Sequence, residues 1–472
     1  MNKRRRARNK EYTLVSCFFV LIFVCMIAYV IRFYAVESEE FINSPYNTRQ
    51  DTFADRVVRG TILSADGEVL AKTEVYEGGY EDRVYPYSNV FAHVVGYDSN
   101  GKSGLESEAN FQLLSSHEYF VDQMKNQLQG NKNMGDTVVS TLEASIQTTA
   151  YYALGDRKGA VVALEPSTGK ILAMVSKPDF DPNYLEENWD WLVSDSSNSS
   201  LLNRATNGQY PPGSTFKIVT TLDFIRSIGR LESYSYYCEG LITQGEHSIR
   251  CYNGTVHGQE DFYSAFASSC NCAFADIGIN LGGASLRETS EDLLFNKTLP
   301  LESARKSEFT LDKNSDTPLI MQTAIGQGNT LVSPVHMAMI VSAIANDGVL
   351  MKPYLIDKVV NDTGDLVKQT KAESYKRLMS SSEAELLQAL MEDVTEYGTA
   401  TALSGRGYQA AGKTGSAEYD EYGSSHSWFV GYCEDMDGEP GIAVAIIVEG
   451  GGTGSEAAVP IAAQIFDTWY WS

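Results

Sequence analysis

Between Tyr12 and Ile31 the chain reads YTLVSCFFVLIFVCMIAYVI, twenty residues without a charge. At about 1.5 Å of rise per residue this run covers a hydrocarbon core of about 30 Å, and it predicts a membrane-crossing helix. Aromatic and β-branched residues lie on every face of it, which argues against an amphipathic helix packed on a soluble core. After Tyr34 the texture turns polar and turn-rich. Hairpin patterns such as RGTILSADGEVLAKT place the tight turn SADGE between two short alternating strands. Near Leu142 the period changes. LEASIQTTAYYALG carries Leu142, Ile146, Ala150 and Ala153 at helical spacing, and GAVVALEPSTGKILAMVS reads as two strands joined at PSTG. A long helical middle follows, including FYSAFASSCNCAFADIGINLG, SPVHMAMIVSAIAND and SSSEAELLQALMEDVTEYGTA. Strand patterns return in YQAAGKTGSAEY, SWFVGYCED and GIAVAIIVEG, before a last helix, AAVPIAAQIFDTWYW. This order predicts an α+β unit: an antiparallel sheet whose first and last strands meet, with a helical insertion beside it. The expected divisions are a tail at 1–11, an anchor at 12–34, a β-rich N-terminal domain at 35–140 and the α+β domain at 141–472.

Charge sharpens that picture. The chain carries a formal net charge of −24, yet Lys3, Arg4, Arg5, Arg6, Arg8 and Lys10 crowd the first residues. Basic residues before the apolar run and Glu37–Glu40 after it put the N-terminus in the cytoplasm and the rest outside. A cleaved signal peptide is the alternative, but the run is long and no small-x-small site follows Tyr34. The acidic exterior excludes sequence-independent nucleic-acid binding by the bulk of the chain. Outside the anchor lie Cys238, Cys251, Cys270, Cys272 and Cys433. A Cys238–Cys251 bridge would pin the excursion CEGLITQGEHSIRC in a compartment that permits it. His247 and His257 flank Cys251 without a C-x-x-C partner, so no metal site or other cofactor is expected.

The chemistry centres on YPPGSTFKIV, residues 210 to 219. Either Ser214 is a nucleophile with Lys217 as its base, or this is an ordinary proline-started helix with a lysine on its wet side. Ser-x-x-Lys alone decides nothing, because the chain holds four: Ser99 with Lys102, Ser167 with Lys170, Ser303 with Lys306, and Ser214 with Lys217. Only Ser214 opens a helix that turns apolar, where positions i and i+3 share a face. A lysine becomes a base when burial or a second cation lowers its pKa from about 10.4. Lys413 in AGKTGSAEY supplies that cation, followed by Thr414, Gly415 and Ser416, with the glycine letting a substrate backbone approach. Ser269 and Asn271 stand at the entrance to an apolar helical run. Ser-x-x-Lys, Ser-x-Asn and Lys-Thr-Gly therefore occur in the order used by penicillin-interacting serine enzymes. The decoys Ser196–Asn198 and Lys102–Gly104 precede Ser214 and do not fit that order.

With these motifs, and with RGTILSADGEVLA, HVVGYDSNGKSGLE, LLNRATNGQYPPGSTFK, AIGQGNTLVSP, GKTGSAE and HSWFVGY, the chain resembles the class B penicillin-binding proteins, membrane-anchored peptidoglycan D,D-transpeptidases. The resemblance implies a penicillin-binding transpeptidase domain of serine β-lactamase-like fold on a non-catalytic pedestal. It implies Ser214 as acylated nucleophile, Lys217 as base, and Ser269 and Lys413 as proton relay. Asn271 would bind the substrate's amide side chain, Thr414 and Ser416 its carboxylate, and the Ser214 and Ser416 N–H groups would form the oxyanion hole. Arg59, Gly60, Gly104, Leu105 and Glu106 match pedestal motifs and are assigned to packing. Cys270 and Cys272 read as small core residues, His426 as a structural or edge residue, and Asp292 with Asn296 as a solvated helix face. The implied partners are stem peptides of lipid-linked peptidoglycan precursors, β-lactams, and a multi-spanning glycan polymerase, since 35–140 is too short for a polymerising domain. A D,D-carboxypeptidase, a β-lactam hydrolase and an antibiotic sensor are the competing readings.

Overall fold

The structure, a computed structural model, describes residues 2–34, 54–419, 424–435 and 438–471; the acidic flank Glu37–Glu40 lies outside them. Helix α1 (Asn2–Arg32) contains the apolar run, and its segment Tyr12–Arg32 has a mean hydropathy of 2.9 with nothing buried against the rest of the chain. It is long and apolar enough for one crossing of a bilayer.

Strands β1 (Ile62–Leu63) and β2 (Val69–Val75) form the expected hairpin, closed where the Ser64 N–H donates to the Glu68 carbonyl (2.9 Å). Strand β3 (Glu81–Val84), helix α2 (Gly104–Glu108) and strand β4 (Thr137–Ser140) follow. Ile62, Leu70, Leu105 and Val138 are buried beneath them. The motif residues pack as anticipated. Glu106 is fully buried between Arg59 (2.6 Å) and Arg83 (2.8 Å). Burial pushes its carboxyl up, but the two guanidinium groups outweigh that and hold it below the usual range. Gly60 runs so close to β4 that a Cβ there would sit 1.9 Å from the Asp136 carbonyl oxygen.

Helix α3 (Ala144–Leu154) leads into β5 (Gly159–Leu164) and β6 (Ile171–Lys177), the pair expected around PSTG. The helical middle holds α4 (Lys217–Ser227) and an excursion of strands β7 (Ser235–Cys238), β8 (Leu241–Gln244), β9 (His247–Arg250) and β10 (Gly258–Asp261). Helix α5 (Asn271–Asp292), broken at Gly282, and helix α6 (Pro334–Ala345), buried at every residue, complete it. Strands β11 (Ile356–Val360) and β12 (Leu366–Gln369) come before helix α7 (Ser381–Glu396). The chain ends with β13 (Ala410–Glu418), β14 (Ser425–Glu434), β15 (Pro440–Val448) and helix α8 (Val459–Trp471).

Two sheets organise the molecule. The larger, in the order β12-β11-β4-β1-β2-β3, joins the late hairpin β11–β12 to the early strands, a pairing that the chain pattern did not announce. The other, β13-β14-β15-β5-β6, is antiparallel throughout, and β15 lies beside β5 with Ala445 opposite Val162. Its first and last strands meet as expected. Every residue of β5 and β6 is buried, so both faces are covered, with α3 and α8 packed together against the sheet and α6 against β5 and β15. Strand β13 is left as an edge, and Ser214 sits against it.

Candidate active site

The breaker Pro211–Pro212–Gly213 ends in a single 3₁₀ turn, Gly213–Phe216, that runs directly into α4. Ser214 is therefore a first-turn residue, half-buried, one turn ahead of Lys217. Gly213 has φ +54°, a conformation natural to glycine, and its N–H donates to the Gly326 carbonyl (2.8 Å). A Cβ on Gly213 would lie 2.8 Å from the Ser416 carbonyl oxygen, and one on Gly415 3.1 Å from that of Pro212. Two glycines thus let β13 press against the serine turn. The Trp428 indole N–H donates to the Pro211 carbonyl (3.0 Å) and pins that turn to β14.

Lys217 is wholly buried, and its ammonium donates to the Ser269 carbonyl (2.7 Å), the Ser269 hydroxyl (3.1 Å) and Asn271 Oδ1 (2.8 Å). Burial pushes it down to about 8. Lys413, equally buried, donates to the same Ser269 hydroxyl (3.0 Å) and to the Thr414 carbonyl (3.1 Å). Burial, and then the charge of Lys217, hold it well below the ordinary lysine range. One hydroxyl thus bridges two lysines, each of which gives up its proton more readily than in water and so can stand as a neutral amine. Ser269 pays for that place with φ +57°, a left-handed conformation that costs a non-glycine residue about 1–3 kcal/mol. Asn271 opens α5, and its Nδ2 donates to the Arg250 carbonyl (3.0 Å), which ties it to β9.

The structure therefore brings Lys217, Ser269, Asn271 and Lys413 into direct contact and sets Ser214, Thr414, Gly415 and Ser416 along the same seam. Thr414 is buried, and its hydroxyl is 2.5 Å from that of Thr399. Thr399 carries no signal in the sequence; only the turn after α7 delivers it to β13. His426 takes a structural role, one of the two expected of it, in the inner strand β14. Its ring stacks on Tyr419 (4.3 Å, 13° between planes), and its Nδ1 accepts from the Gly450 N–H (3.2 Å).

One expectation changes. Asp292 and Asn296 do not share a helix face, because α5 stops at Asp292. Asp292 pairs with Arg226 (3.2 Å), while Asn296, at φ +60°, bonds the backbone of Phe309. Cys270 and Cys272 are buried in the core, as expected. Cys238 and Cys251 are thiols whose sulfurs stand 3.7 Å apart, beyond the disulfide length of about 2.05 Å. The fold gathers Cys238, Cys251, His257 and Cys270 so that their ligand atoms all lie within 4.8 Å of one another. Linear spacing gave no zinc pattern because these residues come from the end of β7, the loop between β9 and β10, and the residue that caps α5.

Comparison with known proteins agrees with this architecture. Residues 159–467 match the family model of the penicillin binding protein transpeptidase domain, and residues 59–138 that of the penicillin binding protein A dimerisation domain. The chain is 33% identical over 431 residues to the peptidoglycan D,D-transpeptidase PbpA of Mycolicibacterium smegmatis, covering 84% of this chain and 86% of that protein. It is 32% identical over 438 residues to PbpA of Mycobacterium tuberculosis, covering 86% and 88%. Among solved structures, the ceftriaxone acyl-enzyme of penicillin-binding protein A from M. tuberculosis superposes with a TM-score of 0.80 at 29% identity, covering 89% of this chain and 99% of that one. The D,D-transpeptidase domain of a peptidoglycan glycosyltransferase from Eggerthella lenta gives 0.79 at 31%, covering 88% and 98%.

Proposed function

The chain belongs to the penicillin-binding protein transpeptidase family, and on that premise we propose that Ser214 is its acylated nucleophile and Lys217 the base that activates it. The protein is a peptidoglycan D,D-transpeptidase, a serine acyltransferase that β-lactams acylate. Ser214 attacks the carbonyl of a stem peptide ending in D-Ala-D-Ala, and its proton passes to the neutral amine of Lys217. The Ser214 and Ser416 N–H groups hold the oxyanion. As the C–N bond breaks, the proton reaches the departing D-Ala through the Ser269 hydroxyl and Lys413. An amine from a second stem then attacks the acyl-serine, and the same groups run in reverse. Asn271 binds the donor's amide, and Thr414, supported by Thr399, binds its terminal carboxylate together with Ser416. The observation that carries this reading is the Ser269 hydroxyl at 3.1 Å from one buried lysine and 3.0 Å from the other.

The remaining assignments belong to the same proposal. Residues 1–11 form a cytoplasmic tail, 12–34 a single-pass anchor in the bacterial plasma membrane, 35–140 a non-catalytic pedestal, and 141–472 the extracytoplasmic catalytic domain. A multi-spanning polymerase supplies the glycan strands. The test uses full-length protein in detergent with a stem pentapeptide as donor and a D-amino acid as acceptor. Release of D-Ala with formation of the amide product is expected. Hydrolysis alone at saturating acceptor would contradict transpeptidation and favour a carboxypeptidase.

A further inference from the structure

We propose that Cys238, Cys251, Cys270 and His257 form a structural zinc site that fastens the β7–β10 excursion to the start of α5. The sulfurs of a tetrahedral zinc site, each about 2.3 Å from the metal, stand about 3.8 Å apart, and a sulfur and a ring nitrogen about 3.5 Å. Here Cys238 Sγ is 3.7 Å from Cys251 Sγ and 3.5 Å from His257 Nδ1, and Cys251 Sγ is 3.7 Å from Cys270 Sγ. All four ligand atoms lie within 4.8 Å of one another. The three thiols are buried, and His257 closes the half-open side. Four protein ligands leave no open position, the mark of a structural rather than a catalytic zinc.

Backbone donors reach two of the sulfurs. The Gly240 N–H points at Cys238 Sγ (3.4 Å), and the Ala273 N–H, in the first turn of α5, at Cys270 Sγ (3.5 Å). Backbone N–H groups aimed at sulfur are the kind of outer contacts that steady metal-bound cysteines. Binding displaces the three thiol protons to solvent, and the imidazole binds through its neutral Nδ1. Cys272, whose sulfur is 3.4 Å from that of Cys251, also approaches the Ile249 carbonyl (3.8 Å) and stands outside the set.

The site borders the catalytic centre. Cys270 lies between Ser269 and Asn271, and Cys251 follows Arg250, whose carbonyl holds Asn271. Zinc would therefore fix the loop that keeps Ser269 at its left-handed φ, which makes the four ligands positioning residues. This second consequence rests on the proposed catalytic reading; metal content does not, so failure of one is distinguishable from failure of the other.

Full-length protein, purified in detergent without added metal or a polyhistidine tag, should carry about one zinc per chain by mass-spectrometric metal analysis. Cys238→Ser and His257→Ala should each lower the affinity for zinc by about tenfold or more, whereas Cys272→Ser should retain it. If a variant fails to fold, wild-type protein stripped by a chelator and reloaded with Co²⁺ should show thiolate-to-cobalt charge-transfer absorption and tetrahedral ligand-field bands. Stripping should slow acylation by penicillin G about tenfold or more, and zinc should restore it. Protein that takes up neither zinc nor cobalt, or whose cysteines prove to be in disulfides, would overturn the site. Acylation unchanged by stripping would overturn its positioning role.

Discussion

A single hydroxyl, that of Ser269, joins two of the motifs in space, because two buried lysines donate to it from different segments. The identity of these residues was legible in the sequence, since three short motifs in fixed order outweigh any one of them. Their protonation was legible only as a requirement; its cause, full burial of both lysines, needed the fold. Thr399 and the cysteine cluster were illegible because nothing local relates residues 399 and 414, or 238 and 270. Thr414 allows a sharp test at this scale. Thr414→Val keeps the β-branched shape that a strand favours and removes one hydroxyl. If that hydroxyl binds the substrate carboxylate, its loss slows acylation about 10- to 150-fold, the cost of a hydrogen bond to a charged group. The check is the second-order acylation rate set against the thermal midpoint. A slowed rate at an unchanged midpoint is expected, and an unchanged rate would remove Thr414 from the site.

The serine turn and β13 work as a pair because no side chain stands between them. Gly213→Ala would strain a residue held at φ +54° and drive a methyl group to 2.8 Å from the Ser416 carbonyl oxygen. The expected outcome is a loss of about 1–3 kcal/mol in stability, from denaturant midpoints. Acylation should fall with it, because moving Ser416 moves its N–H. Wild-type values of both would show that the close approach is unnecessary. Elements with strong local patterns were readable in advance: α6, the strand pair around PSTG, and the three final strands. The β11–β12 hairpin joined the other sheet without notice, since Val359 pairs with Val138 across a separation that no periodicity encodes. The same limit explains α5, whose end at Asp292 separated two residues that spacing alone had placed on one face.

The whole molecule depends on buried polar groups staying in one state. His336 donates from Nε2 to the Leu293 carbonyl (2.7 Å), and its Nδ1 accepts from the Ser307 hydroxyl (2.8 Å), so it is held neutral. Burial pushes it down to about 4, below its unfolded value of about 6.5. Its contribution is therefore complete above pH 6.5 and is lost as pH falls toward 4, because the unfolded chain binds the proton first. The stability advantage of wild type over His336→Gln should shrink across that window in urea titrations. An advantage that stays constant would show that His336 does not carry the linkage. His93, buried and also held near 4, adds to the acid loss. Independent of this pH dependence is the proposal that the molecule acts through an acyl-serine at the head of α4. Intact-mass measurement of full-length protein with penicillin G, followed by peptide mapping, tests that claim most directly. Wild type should gain one penicilloyl group on the peptide containing Ser214, and Ser214→Ala should gain none at an unchanged thermal midpoint. Stoichiometric labelling of Ser214→Ala, or an adduct on another residue of wild type, would contradict it.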